Sequence, residues 1–254
     1  MKHIPNVFTL LNLFFGCIAI VFTLQTESVI IYFNDGFESS FNIPEKLTWA
    51  AVFIGLAALV DFLDGFVARL FNATSKLGEQ LDSLADVVSF GVAPSMIVYQ
   101  FLRMSFAKEE SGVDVSVIWL MPALFIAAAG AYRLARFNLD NSQQYGFKGV
   151  PIPAVGLLLA SLPMIYWNTE NVTVINLLLN KWVLYALILA VCWLMVSKLP
   201  LMALKFKNLS VKNNISKIIL IAFSITAILI FHWLSVPIIF IAYIILSLIF
   251  KNKN

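Results

Sequence analysis

Four aspartates interrupt a strongly apolar part of the chain, two in one hydrophobic run and two at the start of the next. Asp61 and Asp64 are three residues apart, and Asp82 and Asp86 are four apart. On helices, these spacings put the members of each pair on one face. A short turn through residues 72–78 makes the two helices antiparallel neighbours. We therefore expect all four carboxylates to converge at one end of the helix pair.

Carboxylates packed this closely repel one another and need a counter-charge. A charged side chain at membrane depth costs at least ~2.5 kcal/mol, so a functional role is the default interpretation. Hard divalent cations prefer oxygen ligands, and no His or Cys occurs between residues 61 and 86, which disfavours zinc. The pattern predicts a site for Mg²⁺ or Mn²⁺. A helix cap or an ion pair with Arg69 or Lys76 is an alternative for Asp82 alone.

The composition indicates that the elements carrying these residues are membrane helices. Of 254 residues, 61% are hydrophobic and only 12% are charged, far from the usage of soluble domains. A membrane-spanning helix needs about 20 mainly apolar residues. The predicted fold is all-α, a polytopic membrane helix bundle with about eight transmembrane helices. The apolar runs cover residues 8–24, 48–71, 81–102, 115–134, 150–167, 182–196, 217–233 and 236–250.

The distribution of basic residues predicts the orientation of the bundle. With the N-terminus in the cytoplasm, thirteen of the 17 Lys and Arg residues fall on the cytoplasmic side, as the positive-inside rule requires. The four on the other side are Lys46, Arg103, Lys108 and Lys181. We expect both termini and the aspartate site to face the cytoplasm, in a multi-pass protein of the cell membrane. The net charge of +3 gives no reason to expect a nucleic-acid partner.

The aspartates and their small neighbours together form a longer pattern, Asp61-x2-Asp64-Gly65-x2-Ala68-Arg69-x8-Gly78-x3-Asp82-x3-Asp86. It resembles the signature of the CDP-alcohol phosphotransferase family at all eight positions. The resemblance implies a membrane enzyme that moves a lipid phosphate from a CDP-linked lipid to an alcohol, commonly as a homodimer. It implies two divalent metals held by Asp61, Asp64, Asp82 and Asp86, with Asp86 also the base. It also implies a CDP pocket lined by Gly65, Ala68, Arg69 and Gly78.

Further stretches are similar to the phosphatidylserine synthases of this family, of the bacterial and archaeal multi-span type. They are the opening Pro5-Asn6-x2-Thr9-x2-Asn12-x3-Gly16 and the segments 82–95, 131–138 and 147–153. This similarity implies transfer from CDP-diacylglycerol to the hydroxyl of L-serine, giving phosphatidylserine and CMP, among membrane lipids. Asn6 and Thr9 would then help to bind CDP. We expect one domain over residues 1–254, with a six-helix catalytic core to residue 200, then a basic segment and a helical hairpin.

A basic cluster near the end of the fourth apolar run suits an acceptor that carries a carboxylate. Arg133 and Arg136 are three residues apart, with Asn138 and Lys148 following, and an arginine fork can bind a carboxylate bidentately. These charges would also suit a phosphorylated acceptor such as glycerol 3-phosphate or an inositol phosphate. They could equally be ordinary positive-inside anchors.

An ion-coupled transporter is the alternative from another functional class, because intramembrane carboxylates also mark ion pathways. Transporters commonly contain repeats with corresponding sites in their two halves. Here the intramembrane carboxylates occur only in the second and third apolar runs, which disfavours that alternative.

Overall fold

The computed structural model describes residues 4–25, 32–33, 39–40, 45–70, 75–108, 115–139, 147–202 and 214–250. These residues are helical, apart from connections and four two-residue strands, which confirms the predicted all-α class. The helices are α1 (Ile4–Leu24), α2 (Lys46–Leu70), α3 (Lys76–Asp86), α4 (Ala93–Ala107), α5 (Phe125–Leu139), α6 (Ile152–Asn168), α7 (Val172–Leu178), α8 (Lys181–Val196), α9 (Ile215–Phe231) and α10 (Ser235–Ile249). Two antiparallel pairs join β1 (Tyr32–Phe33) to β2 (Ser39–Ser40) and β3 (Phe147–Lys148) to β4 (Pro200–Leu201).

Several helices are long and apolar enough to cross a membrane, as expected of a membrane protein. Within the described ranges, four stretches qualify by length and composition, and a fifth qualifies if α7 and α8, bent by 62°, form one span. The four are Asn6–Leu24, Lys46–Val67, Lys76–Ala107 and Ile215–Ile249, the last of which contains both α9 and α10. The first three overlap the first three predicted runs. The count of eight stays a prediction, because α5, α6 and α8 have only 15 to 17 residues each.

The helix carrying Asp82 and Asp86 continues into α4 through a π-helical stretch, Val87–Val92. Glycines on two neighbouring helices let their backbones approach this stretch closely. A Cβ at Gly16 of α1 would lie 2.8 Å from the Cα of Ser89, and one at Gly156 of α6 would lie 3.0 Å from the Cα of Phe90. Both contacts are closer than Cβ atoms normally tolerate, so only glycine fits. The segment following Asp86 is thereby held between α1 and α6.

The last two helices form a pair that packs against the rest of the bundle. A 3₁₀ turn, His232–Leu234, joins α9 to α10, and His232 has a positive φ of 48°. The two helices contact each other, and α10 also contacts α6 and β4. Their outer surface is apolar, as the 73% exposure of Leu229 illustrates. This arrangement agrees with the hairpin expected from the sequence.

Candidate active site

Three of the four aspartates meet where α2 and α3 pack beside α1. Asp61 comes from α2, and Asp82 and Asp86 come from α3. One carboxylate oxygen from each lies within 4.8 Å of the other two, which is the geometry of a shared metal ion. Asp86 is buried, and Asp61 and Asp82 are half-buried. The convergence expected from the spacings is confirmed for these three side chains.

Asp64 lies beside this cluster and is held by the first helix. It is buried, and the hydroxyl of Thr9 donates a hydrogen bond to its Oδ2. Its Oδ1 is also buried but has no hydrogen-bond partner among the described residues. An unsatisfied buried carboxylate oxygen is costly unless a cation or donor fills the gap. Asp64 therefore has one oxygen available to bind a cation or a hydrogen-bond donor.

Asn12 is a site residue that the sequence reasoning did not assign to the site, although the opening motif contains it. Its side chain is fully buried, and its Nδ2 donates to Oδ1 of Asp86 at 3.4 Å. The backbone carbonyl of Asn12 accepts a 3.0 Å hydrogen bond from the Ser89 hydroxyl. Because Asn6, Thr9 and Asn12 recur every three residues, they lie on one side of α1. That periodicity was the available signal.

The donor set fits Mg²⁺ or Mn²⁺. The converging ligands are carboxylate oxygens, which these hard cations prefer. The unpartnered oxygen of Asp64 adds a fourth candidate ligand on the same helix as Asp61. A positive charge is also needed to balance the mutual repulsion of Asp61, Asp82 and Asp86. Their geometry and charge thus support the predicted cation site.

The residues expected around CDP occupy the same end of the helix pair. Gly78 lies in the first turn of α3, where an added Cβ would lie 3.1 Å from Oδ1 of Asn6 and from Oγ of Ser75. The Ser75 hydroxyl caps α3 by accepting a hydrogen bond from the Gly78 amide at 3.0 Å. A Cβ at Gly65 would meet no described atom within 4 Å, so α2 leaves open space there. Ala68 and Arg69 lie in the last turns of α2, and their side chains are outside the described structure.

The two arginines of α5 have different surroundings despite their three-residue spacing. Arg133 is buried, interacts electrostatically with Asp86 and places its guanidinium carbon 5.2 Å from the centre of the Phe137 ring. Arg136 instead donates from Nη1 to the carbonyl of Val196 at 2.7 Å and from Nη2 to that of Ser197 at 3.0 Å. These carbonyls end α8, where a cation is favourable. Arg133 is thus the arginine beside the aspartates.

Of the other two acceptor candidates, Asn138 contacts the helix that carries two of the aspartates. Asn138 donates from Nδ2 to the hydroxyl of Ser83 at 2.9 Å, which links the end of α5 to the helix carrying Asp82. Lys148 lies in β3, paired with Pro200 of β4. Its side chain is outside the described structure.

The helical fold and the aspartate site define a membrane enzyme, and the chain belongs to the CDP-alcohol phosphatidyltransferase family. The family model matches residues 2–196. This range contains α1 to α8 and the whole aspartate site, whereas α9 and α10 lie beyond it.

Curated relatives carry names that specify the acceptor. A CDP-diacylglycerol–serine O-phosphatidyltransferase of Helicobacter pylori is 40% identical over 156 residues, which is 61% of this chain and 54% of the relative. One of the same name from Bacillus subtilis is 33% identical over 166 residues, 65% of this chain and 78% of the relative. An archaetidylserine synthase of Methanothermobacter thermautotrophicus is 33% identical over 131 residues, 51% of this chain and 52% of the relative. The chain thus spans about half the length of the first and last of these relatives.

Proposed function

We propose that this protein transfers the phosphatidyl group of CDP-diacylglycerol to the hydroxyl of L-serine, giving phosphatidylserine and CMP. The observation that carries the proposal is the convergence of Asp61, Asp82 and Asp86 within the family's signature. The names of the bacterial and archaeal relatives favour serine as the acceptor.

Two divalent cations, Mg²⁺ or Mn²⁺, are proposed to be held by the four aspartates. Asp61, Asp82 and Asp86 share one set of converging oxygens, and Asp64 offers its unpartnered Oδ1. When bound, the cations neutralise the diphosphate and the departing CMP. Thr9 has a supporting role in this scheme, because its hydroxyl fixes the other oxygen of Asp64.

Asp86 is proposed as the general base. The serine hydroxyl attacks the phosphorus of the phosphatidyl group, the bond from that phosphorus to the CMP oxygen breaks, and the hydroxyl proton passes to the Asp86 carboxylate. The buried amide of Asn12 donates to one oxygen of this carboxylate. That contact limits rotation of the carboxylate and leaves the second oxygen for the proton.

CDP and serine are assigned to two separate groups of residues near the aspartate cluster. Asn6, Gly65, Ala68, Arg69 and Gly78 are proposed to surround CDP, and the open space at Gly65 supports this assignment. Arg133 is proposed to bind the carboxylate of serine, because its buried charge lies near Asp86. Asn138 and Lys148 remain candidates for the same pocket. Arg136 is assigned mainly to holding the end of α8.

The proposed setting is the cell membrane, with both termini and the active site on the cytoplasmic side and with two copies forming a homodimer. The basic residues of the short loops support this orientation. Soluble serine and CMP would be exchanged with the cytoplasm, while both lipids stay in the bilayer.

Purified protein in lipid or detergent provides the direct test. Incubation with CDP-diacylglycerol, L-serine and Mn²⁺ should yield phosphatidylserine and equimolar CMP, identified by mass spectrometry. Chelation should stop the reaction, and Asp82→Asn should lose Mn²⁺ binding measured by calorimetry. Full turnover after verified metal removal would contradict the metal assignment. Failure to release CMP with any alcohol acceptor would contradict the whole proposal.

A further inference from the structure

The C-terminal hairpin, α9 with α10, lies outside the matched family region. It nevertheless contacts the acceptor side of the bundle, by which we mean Arg133 and the β3–β4 pair. The family match ends at residue 196, whereas α10 packs against α6 and β4. Helices serving only as membrane anchors need apolar surface alone. The face of α10 turned to the bundle instead carries buried polar side chains, Tyr243 and Ser247.

Tyr243 and Ser247 hold both backbone groups of Met202, the residue following β4. The Tyr243 hydroxyl donates to the Met202 carbonyl at 3.1 Å, and the Ser247 hydroxyl accepts from the Met202 amide at 3.2 Å. Ser247 in turn donates to the carbonyl of Tyr243 at 2.7 Å. All three residues are at most 8% exposed. Met202 is therefore fixed to α10 by a satisfied, buried polar network.

The segment around Met202, which Tyr243 and Ser247 fix, contacts other residues of the proposed acceptor side. Residues Pro200–Leu201 form β4, which pairs with β3 and so with Lys148. The Gly149 amide donates to the carbonyl of Leu199 at 2.9 Å. Arg136 reaches the same segment at Val196 and Ser197. Movement at Met202 would thus be passed to the strand of Lys148 and to the end of α5.

Tyr243 also lies within electrostatic range of the buried arginine. Tyr243 and Arg133 interact electrostatically, and Arg133 interacts in the same way with Asp86. The tyrosine hydroxyl, which is bonded to the Met202 carbonyl, is therefore within electrostatic range of the guanidinium proposed to bind the acceptor. One side chain of the hairpin thus holds the segment after β4 and lies near Arg133.

We propose that Tyr243 is a positioning residue for the acceptor, through which the C-terminal hairpin fixes Arg133 and the β3–β4 strands around the serine carboxylate. This inference rests on the proposed function, because it takes serine as the acceptor. It assigns no direct chemical step to Tyr243. The hairpin becomes part of the acceptor site, and the CDP side is left to α1, α2 and α3.

The test compares Tyr243→Phe with a matched control, Tyr185→Phe. Tyr185 also donates its hydroxyl to a backbone carbonyl, that of Trp119, at 2.6 Å. Trp119 precedes the N-terminal end of α5, whereas Arg133 lies in its C-terminal half. Each variant therefore loses one hydrogen bond from a tyrosine to a backbone carbonyl, buried for Tyr243 and exposed for Tyr185, but only Tyr243→Phe loses it on the acceptor side. KM for serine, KM for CDP-diacylglycerol and the thermal midpoint are measured for both.

Tyr243→Phe should raise KM for serine about 5-fold, the effect of one lost neutral hydrogen bond, with KM for CDP-diacylglycerol unchanged. Tyr185→Phe should leave both constants unchanged. Ser247→Ala, which releases the Met202 amide, should also raise KM for serine, and it provides the test if Tyr243→Phe does not fold. Equal serine KM values in wild type and these variants would overturn the inference while leaving the proposed function intact. Absence of serine turnover in the wild type would overturn both.

Discussion

The different surroundings of Arg133 and Arg136 lead to opposite expectations for the same substitution. Arg133→Ala removes a buried guanidinium beside Asp86. Arg136→Ala removes two hydrogen bonds to the carbonyls that end α8. Both variants lose one positive charge from the same helix, so each serves as the charge-matched control for the other.

The expected magnitudes follow from the contacts that are lost. A charge-assisted contact with the serine carboxylate is worth ~1.5–3 kcal/mol. Arg133→Ala should therefore raise KM for serine about 10- to 150-fold, while KM for CDP-diacylglycerol changes less than about 3-fold, since a factor of ten corresponds to about 1.4 kcal/mol. Arg136→Ala should mainly lower stability, by ~1–2 kcal/mol, because its bonds to the Val196 and Ser197 carbonyls are partly exposed to solvent.

The assay is CMP release at varied serine and fixed saturating CDP-diacylglycerol, then the reverse, with thermal midpoints measured on the same samples. Arg133→Lys should recover part of the serine affinity, since the charge returns without the planar fork. A larger rise in serine KM for Arg136→Ala than for Arg133→Ala would refute the assignment of the acceptor site to Arg133.

Three further experiments test Asp86 as the base, the contact from Asn12 to Asp86, and the orientation in the membrane. Asp86→Asn should lower kcat by about 10²-fold or more while CDP binding, followed by calorimetry, partly survives; near-normal turnover across pH would remove Asp86 from the base role. Asn12→Ala should lower kcat about 5-fold, the effect of one lost hydrogen bond, with little change in either KM, and an unaltered kcat would show that Asp86 needs no support from α1. In a chain with its two cysteines replaced by Ser, an impermeant maleimide applied from the cytoplasmic side should label Asn208→Cys and leave Ser111→Cys unlabelled; the opposite result would invert the orientation.

The sequence was sufficient to predict the aspartate cluster because helix geometry and one short connection determine it. Residues three or four apart lie on one face whatever the rest of the fold does, which pairs Asp82 with Asp86. The short connection through residues 72–78 then predicted that Asp61, on the preceding helix, lies close to them. The same periodicity put Asn6, Thr9 and Asn12 on one side of α1. What that side faces depends on tertiary packing, and the contact from Asn12 to Asp86 joins residues 74 positions apart.

The arginines show where local spacing stops being informative. Arg133 and Arg136 share a face of α5, but what each one interacts with depends on which part of the fold packs against it. Arg133 interacts with Asp86, and Arg136 binds the end of α8. The role of Tyr243 has the same origin, because its partner Met202 lies 41 residues away. The sequence alone does not determine the number of spans either, since α5, α6 and α8 have only 15 to 17 residues each, fewer than the roughly 20 that a membrane-spanning helix needs.

The most direct test of the central claim is the choice of acceptor by the purified enzyme. CMP release from CDP-diacylglycerol with Mn²⁺ present is compared for L-serine, glycerol 3-phosphate and inositol phosphate at equal concentrations. The site built around Asp61, Asp82, Asp86 and Arg133 predicts the fastest release with L-serine and phosphatidylserine as the lipid product. Faster release with glycerol 3-phosphate or inositol phosphate would contradict the serine assignment, although phosphatidyl transfer at the aspartate cluster would stand.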